Sequence, residues 1–276
     1  MSRQVIAFIG GGNMAASLVG GLVAGGWPPS EIRVAEPRAE RRAELTGRFS
    51  IDVCSDNGDA VTGASVVVLA VKPQVLRLVA AALGPRLREE RALVISIAAG
   101  VREPDIRRWL GYDAPIVRTM PNTPALVRSG ATALFANPFV SPAQRDLAES
   151  VLRAVGMTLW VEDESLMDVV TALSGSGPAY FFLVMEMLEE AGVSLGLERE
   201  TARLLTLETA LGAARMAIES SEDPATLRAR VTSPGGTTER AVAHLEAAGV
   251  RAAFLKAVAA ARARSAELGD SLGADR

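Results

Sequence analysis

Histidine is almost missing from this chain of 276 residues, and so is cysteine: His244 and Cys54 stand alone. One histidine rules out a histidine-rich metal site, and with His244 read as a surface residue a Ser-His-Asp triad is not expected. A single cysteine excludes an intramolecular disulfide framework and a multi-cysteine metal centre, so no metal is expected. Cys54 is expected to be a spare buried thiol, and His244 to face solvent from the polar side of a helix. Lysine is nearly as scarce, with Lys72 and Lys256 only, and the net charge of −3 provides no basic surface for nucleic acid. No run reaches the eighteen or so consecutive apolar residues of a membrane span. Arg3 and the strand-like run behind it lack a signal-peptide cleavage pattern, and the expectation is a cytoplasmic protein.

What is present is apolar and small. Hydrophobic residues make up 49% of the chain, enough for the core of one large domain or two smaller ones. Residues 4 to 9 read as a short strand that runs directly into Gly10-Gly11-Gly12-Asn13-Met14-Ala15, and a helical pattern follows through Leu18, Val19, Leu22 and Val23. Strand, Gly-x-Gly-x-x-Ala and helix, in that order, form the dinucleotide-binding signature. Its first glycine permits the turn, its second lets a pyrophosphate approach the backbone, and its alanine lets helix and strand pack closely.

The next strand, 32 to 35, ends at Glu36-Pro37-Arg38, about twenty residues beyond the glycines, where a ribose-reading residue belongs. The two charges point in opposite directions. A carboxylate at Glu36 suits the 2′-hydroxyl of NAD, whereas Arg38 suits the 2′-phosphate of NADP. Residues 65 to 71 are nearly all apolar, as in a parallel strand covered on both faces, and stop at Lys72-Pro73-Gln74. Pro73 fits a first helical turn, which leaves Lys72 at the carboxyl edge of the sheet. A further strand closes on Ala98-Ala99-Gly100, whose small residues leave room for a ring against the backbone. Another strand, 116 to 119, enters the rigid loop Met120-Pro121-Asn122-Thr123-Pro124. Alternating strands and helices to about residue 160 predict a doubly wound, mostly parallel sheet.

After Glu162-Asp163-Glu164 the strand signals stop. A Rossmann domain over 1–164 and an all-α domain over 165–276 are expected, with helices from Ser174-Gly175-Ser176-Gly177-Pro178 onward, over about 200–219 and 224–230, and two more to about Leu268. Residues from about Gly269 are expected to fray. The long helices carry apolar residues around much of their circumference, Leu204, Leu205, Leu207 and Leu211 among them. Polar surface that scarce predicts burial against a second copy of the chain. Between two helical runs lies Thr232-Ser233-Pro234-Gly235-Gly236-Thr237-Thr238. Two glycines and two hydroxyl residues opening onto a helix describe an outward-facing set of N–H groups suited to an anion, and equally a helix cap.

These motifs together, in this order and spacing, resemble the pyrroline-5-carboxylate reductases, from residue 4 to about 268. The most diagnostic are Ser174-Gly175-Ser176-Gly177-Pro178-Ala179-Tyr180 and the Thr232–Thr238 turn. The resemblance implies reduction of L-1-pyrroline-5-carboxylate to L-proline by NADPH, with NADH open, in a homodimer that assembles further into decamers. It implies that Gly10, Gly11, Gly12, Asn13 and Met14 meet the pyrophosphate, that Glu36 and Arg38 lie by the adenosine ribose, and that Asn57, Val71, Lys72, Pro73 and Ala99 line the cofactor cleft. Arg230 stands where members often carry asparagine, and Glu36 where they carry a small polar residue or asparagine. In the substrate site, the N–H groups of Gly236 and Thr237, aided by Ser233, would hold the carboxylate. Thr238 would bond the ring nitrogen, and Glu164 would lie near the substrate's positive charge. Two rivals are weaker. A 3-hydroxyacid dehydrogenase needs a base, commonly lysine, in the first helix of its second domain, and Ser174 to Gly196 holds no lysine or histidine. A non-catalytic dinucleotide sensor would have no use for the Gly-Gly-Thr-Thr turn.

Overall fold

The computed structural model describes residues 4–274. Eight strands form one sheet: β1 (Ile6–Ile9), β2 (Ile32–Ala35), β3 (Asp52–Cys54), β4 (Val66–Leu69), β5 (Leu93–Ser96), β6 (Ile116–Met120), β7 (Gly130–Ala136) and β8 (Gly156–Trp160). Their order is β3-β2-β1-β4-β5-β6-β7-β8, so the chain winds outward from β1 in both directions. All neighbours are parallel except β6 and β7, which pair antiparallel with Val117 opposite Ala136. The loop between those two strands holds no crossover helix, and a strand returning without a crossover must run antiparallel.

Helices α1 (Asn13–Ala24), α2 (Ala39–Phe49), α3 (Asn57–Val61), α4 (Pro73–Glu90), α5 (Glu103–Leu110) and α6 (Pro142–Arg153) connect the strands. The central strands are apolar on both faces because both faces are covered. Ile6, Phe8, Val66 and Val68 join Leu18, Val19 and Leu152 in one core, while Ala7, Ile9, Val67 and Leu69 join Leu76, Leu87 and Ile106 in the other. Each of the larger side chains contributes roughly 1.5–3 kcal/mol by burial. Strand β8 closes one edge and is covered on one side only; Trp160 stacks under Arg145, 4.2 Å from its ring, and donates from Nε1 to Glu149.

Short β3, alanine-rich β7 and half-exposed β8 carry little of the β-branched periodicity by which strands are recognised. Cys54 is half-buried rather than fully buried, because β3 is the other edge strand, and its thiol donates to the Asp56 carbonyl at 3.1 Å.

Helices α7 (Leu166–Val170), α8 (Gly177–Ser194), α9 (Arg199–Glu219), α10 (Pro224–Arg230), α11 (Thr237–Ala247) and α12 (Val250–Gly273) follow, with a π-helical turn over Thr171–Gly175. Two compact units result. Residues up to Ser176, together with those from Ala261 onward, make the first, and Gly177–Ala260 make the second. Among the described residues the expected fraying from Gly269 does not occur: α12 continues to Gly273, and its final turns pack within the sheet unit, with Ser265 and Gly269 buried, while residues 275 and 276 lie outside the described residues. In the second unit large apolar side chains stay exposed, including Phe181, Phe182, Leu205 and Ile218, and His244 is exposed as expected. The helical stretch Leu166–Ser194 is long and apolar enough, by length and composition, to cross a membrane, and only 17% of that window is buried within the chain.

Candidate functional site

The carboxyl ends of β1 and β4, where the winding direction reverses, border the crevice in which sheets of this kind hold ligands. Gly10 turns the chain out of β1 with φ +103° and donates its N–H to the Ala35 carbonyl of β2. A Cβ there would lie 2.8 Å from the Ala70 oxygen, so only glycine fits. Gly12 caps α1, and a Cβ on it would meet nothing within 4 Å, which leaves its backbone open to a ligand. No acidic residue occupies the first turn of α1 and no side chain caps it. The unpaired N–H groups and the positive end of the helix dipole therefore face a cradle suited to a pyrophosphate. The residues present fit a dinucleotide.

At the end of β2 the geometry separates two charges that the sequence left opposed. Glu36 is buried, and both its oxygens are engaged: Oε2 accepts the Gly11 N–H at 3.1 Å, and Oε1 accepts Arg38 N at 3.1 Å and Nε at 2.9 Å. Burial alone would raise the Glu36 carboxyl; the bonds from Arg38 and Gly11 outweigh it and hold the group below the ordinary carboxylate value. The Arg38 side chain is 69% exposed. Neighbouring Arg41 donates to the Gly11 carbonyl at 2.8 Å and pairs with Glu44, while Arg42 donates to the carbonyls of Glu36 and Pro37. Arg38 is thus the guanidinium of this cluster turned to solvent, and Glu36 is the buried post that orients it.

The remaining cleft candidates lie at the same sheet edge. Asn57 opens α3 after β3, Val71 follows β4, exposed Lys72 caps α4 with Pro73 behind it, and exposed Ala99 sits between buried Ala98 and Gly100 after β5. All belong to the sheet unit.

Glu164 also belongs to that unit, and its surroundings were not legible from sequence. Its Oε1 accepts the Glu103 N–H at the start of α5 (2.6 Å) and Arg118 Nη1 (2.8 Å). Arg118 is buried in β6, and a buried guanidinium needs a carboxylate. Beside it, Asn137 donates to Glu103 Oε1 at 2.7 Å and to the Ala114 carbonyl, while accepting the Ile116 N–H. Burial pushes the Glu103 carboxyl up against the pull of Asn137 and Arg107, and nearby Glu164 adds to the rise. One signal was available: Arg118 is a lone charge inside an apolar strand.

The turn at 232–238 lies in the second unit. Gly235 adopts φ +71°, and its N–H donates to Glu239 Oε2 at 2.7 Å. Gly236 caps α11 and donates its own N–H to the Ser233 carbonyl at 3.0 Å, so it is already engaged within the turn. The N–H groups of Thr237 and Thr238 follow in the first helical turn with no partner among the described residues. Ser233 and Thr237 are exposed and Thr238 is half-buried. Arg230 is exposed and pairs with Glu222 at 2.5 Å. Among the described residues no cluster of histidine, cysteine and carboxylates could hold a metal.

Two family descriptions match the chain: "NADP oxidoreductase coenzyme F420-dependent" over residues 5–100, and "Pyrroline-5-carboxylate reductase dimerisation" over residues 164–268. The exposed apolar faces of α8 and α9 fall inside the second match. A pyrroline-5-carboxylate reductase of Pseudomonas aeruginosa is 55% identical over 273 residues, covering 99% of this chain and 100% of that protein. A solved pyrroline-5-carboxylate reductase from Coxiella burnetii superposes with a TM-score of 0.93 at 49% identity, covering 97% of this chain and 99% of that one. The pyrroline carboxylate reductase of Plasmodium falciparum, solved with NADP bound, superposes with a TM-score of 0.86 at 29% identity over 98% of this chain and 99% of that one. With likeness of this degree along its whole length, the chain belongs to the pyrroline-5-carboxylate reductase family.

Proposed function

We propose that this protein reduces L-1-pyrroline-5-carboxylate to L-proline with NADPH, the last step of proline biosynthesis. Family membership supports the reaction. The single observation that carries the reading to this chain's own residues is the start of α11, where the unpartnered N–H groups of Thr237 and Thr238 stand beside a threonine hydroxyl.

The substrate is a cyclic imine that carries a carboxylate. Thr237 and Thr238 N–H hold the carboxylate, with Ser233 at the rim; Gly236 shapes the turn and aligns those groups through its bond to Ser233. The Thr238 hydroxyl accepts the N–H of the protonated ring nitrogen and orients the C=N bond. Glu164, whose Oε1 accepts from Arg118 and the Glu103 N–H, is the carboxylate that would offset the substrate's positive charge. NADPH held in the cofactor cleft would supply a hydride to the imine carbon, leaving the amine of proline once the C=N electron pair resides on nitrogen. A protonated imine is already electrophilic, so positioning provides most of the acceleration and no histidine is needed.

The cofactor is held by Gly10, Gly11, Gly12, Asn13 and Met14 at the pyrophosphate and by Arg38 at the 2′-phosphate, with Glu36 orienting Arg38. Asn57, Val71, Lys72, Pro73 and Ala99 line its cleft, and Arg230 is a further cofactor-binding residue. NADH is a weaker alternative cofactor. By function the chain divides into a cofactor domain, 1–164, and a dimerisation and substrate domain, 165–276. The homodimer is the working unit, decamers are its higher assembly, and the enzyme is cytoplasmic.

The test follows the absorbance of reduced nicotinamide when purified protein meets pyrroline-5-carboxylate, with NADPH and NADH in separate cuvettes. Rapid substrate-dependent oxidation, faster with NADPH, is expected. Folded dimer that oxidises neither cofactor would sink the assignment.

A further inference from the structure

The last turns of α12 are fastened to one loop of the sheet unit, Ile97 to Arg102, the loop that carries Ala99. Gly100, at φ +77°, is buried against Leu268 and Leu272; a Cβ on it would lie 3.5 Å from Leu272 and 3.7 Å from Leu268. Gly269 approaches the loop more closely still. A Cβ there would meet Arg102 Nε at 3.1 Å and the Gly100 carbonyl oxygen at 3.2 Å, so helix and loop backbone touch where no side chain intervenes. Arg102 completes the clasp. Its Nη1 pairs with Asp270 at 2.7 Å, and its Nη2 donates to the Ala266 carbonyl at 3.3 Å. One turn further, Gly273 lies against Asp105 of α5 rather than against the loop, and its carbonyl accepts Arg108 Nη2 at 2.7 Å. One turn back, Ser265 donates to Asp168 of α7 at 2.7 Å. Ser265, Gly269 and Gly273, spaced by four, thus form one small-residue face along the helix end.

We propose that the end of α12 is a positioning clamp on the nicotinamide side of the cofactor cleft, with Gly269 and Arg102 as positioning residues for hydride transfer. The inference rests on the reductase reading, in which Ala99 lines the cofactor cleft within the loop whose small residues leave room for a ring against the backbone. Ala99 is exposed within this loop. Its neighbours Ala98 and Gly100 are buried, and Gly100 is held by the helix. A displacement of a few tenths of an ångström at Gly100 is passed along the backbone to Ala99. Because hydride transfer is steep in distance, with about a hundredfold lost per ångström of misplacement, such a shift is expected to lower turnover by about three- to tenfold.

The test compares the parent with Gly269→Ala, Gly273→Ala and Asp270→Ala, all as full chains. The added methyl of Gly269→Ala presses on the loop, whereas that of Gly273→Ala presses on α5. The readouts are the emission of NADPH bound without substrate, the isotope effect on kcat with NADPH deuterated at C4, the KM for pyrroline-5-carboxylate, and Tm. Gly269→Ala is expected to shift the bound-NADPH emission, lower kcat and raise the isotope effect, with KM within twofold of the parent. Gly273→Ala is expected to lower Tm alone. Should Gly269→Ala keep the parent's emission and isotope effect, whatever its Tm, the clamp is wrong. If that variant does not fold, Asp270→Ala removes the ion pair without entering the contact, and unchanged emission there overturns the proposal equally. A parent that binds NADPH yet never oxidises it with this substrate would fail as a reductase, while the emission comparison would still decide the clamp.

Discussion

The two units of this chain are built from similar fractions of apolar residues and finish with opposite surfaces. In the sheet unit, every side chain of β1, β4 and β5 is buried, because a parallel sheet wound in both directions covers its own two faces. In Gly177–Ala260, α8 buries only Gly177 and α9 only Ala202 and Thr206, while Phe181 and Ile218 are exposed by 69% and 83%. A few helices in a short segment have too little mutual surface to hide apolar residues that lie around their whole circumference. One unit closes its core within the chain, and the other leaves its core to be closed by a second copy. Similar composition therefore does not imply similar independence.

Charging the exposed apolar face is the hardest blow to that contrast. Leu205→Glu is expected to dissociate the dimer, since an unpaired buried charge costs about 3–5 kcal/mol; sedimentation should find monomers, and a variant that remains dimeric would show that α9 is not at the interface. In the sheet unit, Phe8→Ala should remove about 3–5 kcal/mol from unfolding stability by opening a cavity, with oligomeric state unchanged at temperatures below the transition. Urea titration and light scattering together separate the two cases.

In the proposed sites, Arg38 of the sheet unit serves the cofactor and Thr238 of the second unit serves the substrate, and smaller effects sharpen that contrast. Arg38→Ala should raise the KM for NADPH about tenfold or more and leave that for NADH nearly unchanged, because a charge-assisted bond worth about 1.5–3 kcal/mol is lost only with the 2′-phosphate. Equal losses with both cofactors would assign Arg38 to the fold. Thr238→Ala should lower kcat about tenfold, the value of one hydrogen bond, with NADPH affinity intact by fluorescence titration. The smallest effect concerns pH. The Glu36 carboxyl titrates below its ordinary value in the folded chain, so the stability it contributes is complete above the unfolded value of 4.5 and is lost as pH falls through the lower folded value. Urea unfolding across that acid range should show Glu36→Gln losing less stability than the parent as pH drops; parallel curves would mean Glu36 is not held as its hydrogen bonds indicate.

Much of the cofactor site was readable because each piece is local. Gly10 to Ala15 joins a strand to a helix within a few residues, and turn chemistry there depends on φ and on the lack of a Cβ, which sequence displays directly. The Glu36–Arg38 question was not readable. Both charges occupy one turn, and only the Gly11 N–H, brought from 25 residues away, decides which of them is buried. Arg118, Glu103 and Asn137 were not readable for the same reason: Arg118 and Glu103 meet Glu164 across separations of 46 and 61 residues, and Asn137 meets Glu103 across 34.

The end of α12 shows where that boundary lies. Polar composition and a terminal position argue for fraying at Gly269 and Gly273, and by helix propensity each glycine there costs roughly 1 kcal/mol relative to alanine. In the folded chain the same glycines admit the helix to the Ile97–Arg102 loop and to α5, and the packing outweighs the propensity. The sequence by itself determined the alternation of strands and helices, the glycine turn between β1 and α1 and the surplus of apolar helix surface, because each follows from local periodicity and backbone chemistry. Tertiary structure alone decided the direction of β7, the burial of Glu36 in place of Arg38 and the docking of α12, because each is a competition between groups distant in the chain whose outcome depends on which of them the fold brings within hydrogen-bonding or van der Waals reach.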